Sequence, residues 1–306
     1  IQAFCETPET MAMVEEAAQD RRMSKAHVKV QMGGAPAAVE AYRSALTPNV
    51  LILEASSDKN RLIQDLDSLA EVCDPSTRVL VIGRFNDVQL YRDLVRRGVS
   101  DYMIPPVGAI DLIRSISELF NASGAQAVGR TIAVLGTKGG VGASTIAHNL
   151  GFAISRDLDL QTVIADLDLG FGTVALDFDQ DPPQGIAEAV YSPDRLDVNL
   201  VDRLLSKCSE KLSLLAAPAM LDRVYDFDQA SFDGVIDILR GTVPCTIIDV
   251  PHLWTAWARH VAISADEVVI VSGPDLASFR NVKNIMQVLK QGRRNDNPPR
   301  LVLNQV

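Results

Sequence analysis

The chain has 306 residues, 47% of them hydrophobic, and a net charge of −10. That length suits two domains with packed cores, and no run of about 18 apolar residues offers a membrane span. The acidic balance argues against a broad non-specific nucleic-acid surface, whose affinity comes largely from neutralising phosphates. The start, Ile1-Gln2-Ala3-Phe4, lacks the basic region, apolar run and cleavage site of a signal peptide. With no initiator Met, the chain reads as a piece of a longer protein. Cys5, Cys73, Cys208 and Cys245 never form a CxxC pair and read as buried small apolar residues of a reducing, cytoplasmic compartment.

Apolar runs at Ile1–Cys5, Val28–Val30, Val50–Leu53, Val79–Ile82 and Asp101–Ile104 predict strands. Helical stretches over Thr10–Arg22, Ala37–Leu46, Asn60–Val72, Val88–Arg97 and Ala109–Asn121 alternate with them. Such alternation predicts an α/β domain over residues 1–121, a parallel sheet covered on both faces. Residues 122–129, small, uncharged and glycine-containing, read as a linker. The pattern restarts over residues 130–306, with strands at Ile132–Leu135, Thr162–Asp166, Leu212–Leu215, Thr246–Asp249, Val268–Val271 and Leu301–Leu303. This second half is also read as α/β, truncated at its C-terminal end.

The strongest local signal runs from Thr131 to Thr145: an apolar strand, the turn Gly136-Thr-Lys-Gly-Gly-Val-Gly142, then a helix from Ala143. Glycines permit positive φ and close backbone approach, so successive N–H groups can converge on phosphate oxygens, aided by the helix N-terminus. Ser144 stands where a hydroxyl ligates Mg²⁺ and Thr145 where one bonds a second phosphate. The plainer reading is a strand-to-helix turn without a ligand. Against it stand Asp166 and Asp168 at the end of one buried strand, Asp249 at the end of another, and Asn304 after a third, placed to hydrogen-bond a base. Ligands of a parallel sheet gather at the carboxyl ends of its strands. Phosphoryl chemistry there needs one carboxylate near the metal and another near an attacking water; Ser144, Asp166 and Asp249 are the expected metal set.

Lys138-Gly139-Gly140-Val141-Gly142-Ala143-Ser144-Thr145 resembles the deviant Walker A motif of the ParA/MinD ATPases, in a domain with a mostly parallel sheet and helices on both faces. The resemblance implies ATP and Mg²⁺ as cofactors and a homodimer in which Lys138 reaches the partner's phosphates. By the same resemblance Asp168 matches the water-organising or switch acid and Asp249 the Walker B acid. Thr137 departs from the motif's first glycine, and Ala143 replaces its second lysine. Losing a cation at developing phosphate charge costs about 3–4 kcal/mol by analogy with an oxyanion donor, so slow hydrolysis is expected.

Pro251-His-Leu-Trp254 with Trp257, and Pro274-Asp-Leu-Ala-Ser278, resemble the CpaE/TadZ branch. That implies an assembly or localisation factor for tight-adherence (Flp-type) pili, at the cell pole or peripheral to the inner membrane. Its partners would be pilus secretion proteins or polar landmarks rather than nucleic acid, with any membrane association indirect or through a missing C-terminal segment. An active ATPase positioning another cargo is the alternative. Trp254 and Trp257, read as sharing one helix face, are core packing or a partner contact. His252 is catalytic or fixes a loop, and Asp275 caps a helix or touches nucleotide.

The first half is similar to a response-regulator receiver domain without its chemistry. Glu54 takes the phosphoacceptor position, Pro105 that of the fifth-strand lysine and Gly83 that of the hydroxyl, while only Glu6 remains of the acidic pair. Glu54 is read as a solvated surface glutamate or a mimic of phosphoryl charge, and the domain as a protein-binding or dimerising module.

Overall fold

The computed structural model describes residues 1–55, 58–121, 128–218 and 226–306. Its chain divides into two compact units, Ile1–Ala125 and Gln126–Val306. Most of the expected linker, residues 122–127, lies outside the described residues.

In the first unit β1 (Gln2–Cys5), β2 (Lys29–Met32), β3 (Val50–Ala55), β4 (Arg78–Gly83) and β5 (Val99–Met103) form a parallel sheet in the order β2-β1-β3-β4-β5. Helices α1 (Pro8–Ala18), α2 (Gly34–Tyr42), α3 (Lys59–Ala70), α4 (Val88–Arg96) and α5 (Ala109–Asn121) connect and follow the strands. Strand side chains alternate between faces. Phe4, Leu51 and Leu53 therefore pack with Ala38, Leu66 and Leu94 on one side, while Ala3, Cys5 and Ile52 meet Val14, Leu112 and Ile116 on the other. The first helix starts earlier than its apolar spacing predicts. Thr7 caps it through Oγ1, and Pro8 has the fixed φ that suits a first helical position.

In the second unit β6 (Arg130–Gly136), β7 (Thr162–Asp166), β8 (Ser206–Lys207), β9 (Leu212–Leu215), β10 (Cys245–Val250), β11 (Glu267–Ser272) and β12 (Arg300–Leu303) take the order β12-β11-β6-β10-β7-β9-β8. Among the described residues only the β8–β9 pairing is antiparallel; two residues are too few to give β8 a periodic signal in sequence. The helices are α6 (Ala143–Asp157), α7 (Val174–Asp177), α8 (Ile186–Tyr191), α9 (Val198–Leu204), α10 (Asp233–Thr242), α11 (Ala256–Ser264) and α12 (Leu276–Gly292). Val134, Ile164 and Ile247 face Ala147 of α6, whereas Ala133, Ala165 and Ile248 face the cluster of Phe232, Leu239, Trp257 and Val282. The fold is thus α/β with a mostly parallel sheet and helices on both faces. No described helix is long and apolar enough to cross a membrane.

Two sequence readings are corrected here. Trp254 and Trp257 do not share a helix face: Thr255 caps α11, so Trp254 lies before the helix and is exposed. Trp257 is buried against Phe232, with ring centroids 4.7 Å apart. Glu54 is not a solvated surface group, being 4% exposed. It stands beside the N-terminus of α1, where its Oε2 accepts the N–H groups of Glu6 (2.7 Å) and Thr7 (2.8 Å). Its Oε1 accepts the hydroxyls of Thr7 (2.7 Å) and Thr10 (2.8 Å). Burial opposes ionisation, but these donors outweigh it and hold the carboxyl below its ordinary pKa.

Candidate functional site

β6 ends at Gly136, and the chain turns into α6 at Ala143. Gly140 and Gly142 adopt φ of 81° and 86°, the left-handed region that a Cβ disfavours. A Cβ on Gly142 would also fall 2.5 Å from Asn304 Nδ2. The turn is fixed through its carbonyls. Asn281 Nδ2 donates to Thr137 O at 2.9 Å, Asn304 Nδ2 to Val141 O at 2.9 Å and Gln305 Nε2 to Gly140 O at 2.8 Å. These donors take up carbonyl dipoles that would repel an anion, while the start of α6 contributes positive potential.

The expected phosphate-loop residues do not share one role. Val141 is buried, its side chain packed into the α6-facing core as the anchor of the turn. Gly139, Gly140 and Thr145 are exposed, and Gly142, Ala143 and Ser144 half-buried. Lys138 is exposed and its Nζ lies 2.9 Å from Asp275 Oδ2 of the same chain. Asp275 meanwhile caps α12, Oδ1 accepting the Ser278 N–H at 3.0 Å and Oδ2 the Ser278 hydroxyl at 2.8 Å. The Lys138 ammonium and both Ser278 donors hold the Asp275 carboxyl well below the usual range. Asp275 and Asn304, expected at the nucleotide, are therefore engaged with the protein: one as cap and lysine partner, the other as a clamp on the loop. His252 is exposed beside Gly139; the hydrogen bonds that fix the loop come from Asn281, Asn304 and Gln305 instead.

The strand-end acids do come together. Asp166 and Asp249 are register partners on the adjacent strands β7 and β10. Because Ile164 and Ile247 face α6, the two-residue period directs Asp166 and Asp249 to that face as well. Both are buried, at 0% and 3% exposure. Asp166 accepts the N–H groups of Asp168 (3.0 Å) and Val174 (3.2 Å). Burial, and then the charge of Asp249, nevertheless push its carboxyl up to about 7. A cation placed between the two carboxylates would remove that penalty, so the pair fits a divalent metal. Asp168 is half-buried, with Oδ1 accepting the Phe171 N–H at 3.1 Å; burial raises its pKa, and the Phe171 hydrogen bond opposes the shift.

His148 was absent from the sequence reading. It lies one helical turn past Ser144, is 3% exposed, and faces Asp249 and Asp166. Its signal was available as a polar residue on the apolar side of α6, but its carboxylate partner Asp177 is 29 residues away on α7.

No family model matches the chain. It is 25% identical over 190 residues to the septum site-determining protein MinD of Bacillus subtilis, covering 58% of this chain and 66% of that protein. To MinD of Synechocystis sp. it is 32% identical over 164 residues, covering 53% and 59%. The chain thus spans less than two thirds of the length of either relative. Among solved structures, the pilus assembly protein CpaE of Caulobacter crescentus is 49% identical, covering 39% of this chain and 96% of that one with a TM-score of 0.38.

Proposed function

The chain belongs to the ParA/MinD superfamily as a CpaE-type member, and on that premise we propose that it is an ATP-binding assembly or localisation factor for tight-adherence pili. In this reading nucleotide drives dimerisation and hydrolysis is slow. The observation that carries the reading is the turn from Gly136 to Ala143, with two left-handed glycines and three carbonyls tied back by side-chain amides, beside the buried acids Asp166 and Asp249. Amides of this turn would take the phosphates, and Ser144 with Asp166 and Asp249 would hold Mg²⁺, which when bound neutralises charge on the phosphate oxygens. Asp168, half-buried just past the end of β7, would orient water in this scheme.

Lys138 has two possible partners in this scheme. Within one molecule it pairs with Asp275; in a nucleotide-bound dimer it would leave that carboxylate for the partner's phosphates. Light scattering with and without ATP and Mg²⁺ tests this. The wild type should double in mass with ATP, and Lys138→Ala should dimerise more weakly. An unchanged dimer constant in the variant would refute the exchange.

The first unit serves as a protein-interaction module in the same proposal. Its phosphoacceptor position is filled by a glutamate that already accepts four hydrogen bonds. Tyr102 closes the space near the missing hydroxyl, its oxygen 2.5 Å from where a Cβ on Gly83 would stand. The alternative, an active ATPase positioning another cargo, requires turnover typical of ordinary P-loop enzymes despite Ala143.

A further inference from the structure

We propose that the cavity between the 251–254 segment and α12 is a binding site for a small aromatic carboxylate. It lies within the second unit and adjoins the glycine turn. It involves no phosphate and none of the strand-end acids, so it stands without the nucleotide reading.

Three residues that stand out in the sequence take no part in the metal set, and all three meet here. Thr137, His252 and Trp254 line one cavity of about 290 Å³, with apolar wall from Leu135, Val250 and Ile285. Trp254 is 44% exposed, so its indole borders both the cavity and solvent. Thr137 is 6% exposed, and its hydroxyl is buried without a hydrogen-bond partner. An unmet buried polar group calls for a partner, and the cavity beside it is a route by which one can enter.

Size and charge define the ligand. An apolar cavity of about 150 Å³ admits a benzene ring, so this one takes a six-membered ring with a short side chain. The indole favours an aromatic ring, which it can meet offset or edge to face. Apolar walls with a few polar groups are the usual build of a small-molecule site, and here those groups are of one kind. No lining residue is acidic, while Asn281 and Asn284 offer amides and His252 a ring nitrogen. Arg280 stands beside them, its Nε and Nη2 each 3.4 Å from Asn281 Oδ1. It is exposed and pairs with no carboxylate among the described residues. A ligand carboxylate would replace these long contacts to a neutral amide with shorter, charge-assisted bonds in the planar geometry a guanidinium presents.

The test titrates the whole chain, free of nucleotide, with phenylacetate, its neutral isostere phenylacetamide and the cation benzylamine, followed by ligand-observed NMR. Phenylacetate should bind saturably with a dissociation constant of about 1 mM or tighter, as suits a fragment of its size in a formed pocket. It should bind about 10-fold more tightly than phenylacetamide, and benzylamine should not bind. Arg280→Gln should erase the preference for the acid and leave phenylacetamide binding unchanged. Trp254→Ala should weaken both about 3–10-fold, whereas Arg156→Gln on α6, across the sheet, should change neither. Amide hydrogen exchange of the wild type gives a reading that needs no variant: phenylacetate should slow exchange over residues 252–256 and 281–288. No saturable binding, equal affinity for acid and amide, a preference that survives in folded Arg280→Gln, full affinity in folded Trp254→Ala, or protection confined to other segments would each overturn the proposal. ATP titration of the same preparation separates such a failure from a failure of the nucleotide reading.

Discussion

Glu54 shows how a single side chain can keep its position and change its task. At the end of β3 a carboxylate that accepts two backbone N–H groups and two hydroxyls has little capacity left for phosphoryl chemistry. Replacing it with Gln sets an amide donor against donors, and we expect Glu54→Gln to destabilise the protein by about 2–3 kcal/mol in urea unfolding. The pH dependence has a definite sign. The folded carboxyl titrates below its ordinary value of 4.5, so its stabilisation is complete above that pH and is lost as pH falls through the lower folded value. The gap between wild type and Glu54→Gln should therefore hold at neutral pH and shrink below 4.5. Ala143 gives a second expectation at this scale: Ala143→Lys should raise ATP turnover about 10²–10³-fold if a missing cation limits the reaction, and an unchanged rate would place the limit elsewhere. The acids Asp166 and Asp249 were legible in sequence because each ends an apolar strand. His148 was not, since its meaning depends on Asp177 and on a register that only the folded sheet supplies.

Among the elements, the turn before α6 depends on three distant pieces of chain. Asn281 comes from α12, and Asn304 and Gln305 follow β12. The glycines of the turn could be read from sequence through their spacing, but its clamps could not, because an isolated Asn or Gln carries no local pattern. Gly142→Ala combines a left-handed φ with a contact at 2.5 Å from the Asn304 amide. It should cost about 1–3 kcal/mol and abolish nucleotide binding. Asn281→Ala, which removes only the bond to the Thr137 carbonyl, should cost about 1 kcal/mol and weaken nucleotide without abolishing it. Thermal unfolding with and without ATP distinguishes the two effects. The same logic explains the misplaced tryptophans: a three-residue spacing predicts a shared helix face, but the cap at Thr255 starts α11 between them.

For the whole molecule, alternation of apolar runs with helical segments was enough to predict two α/β units, since buried parallel strands are written as continuous apolar stretches. Strand order, and hence the adjacency of Asp166 with Asp249, came only from the fold. The net charge of −10 argues against a broad basic surface that would release counterions from a duplex, so random DNA should produce no mobility shift at physiological salt. A salt-sensitive shift would revive the cargo-positioning alternative. The most direct measurement is titration calorimetry of ATP with Mg²⁺ into the folded protein, alongside Gly142→Ala. Saturable heat in the wild type, lost in the variant, is the expected result; no heat from well-folded protein would contradict a triphosphate cradled between Lys138 and Ser144.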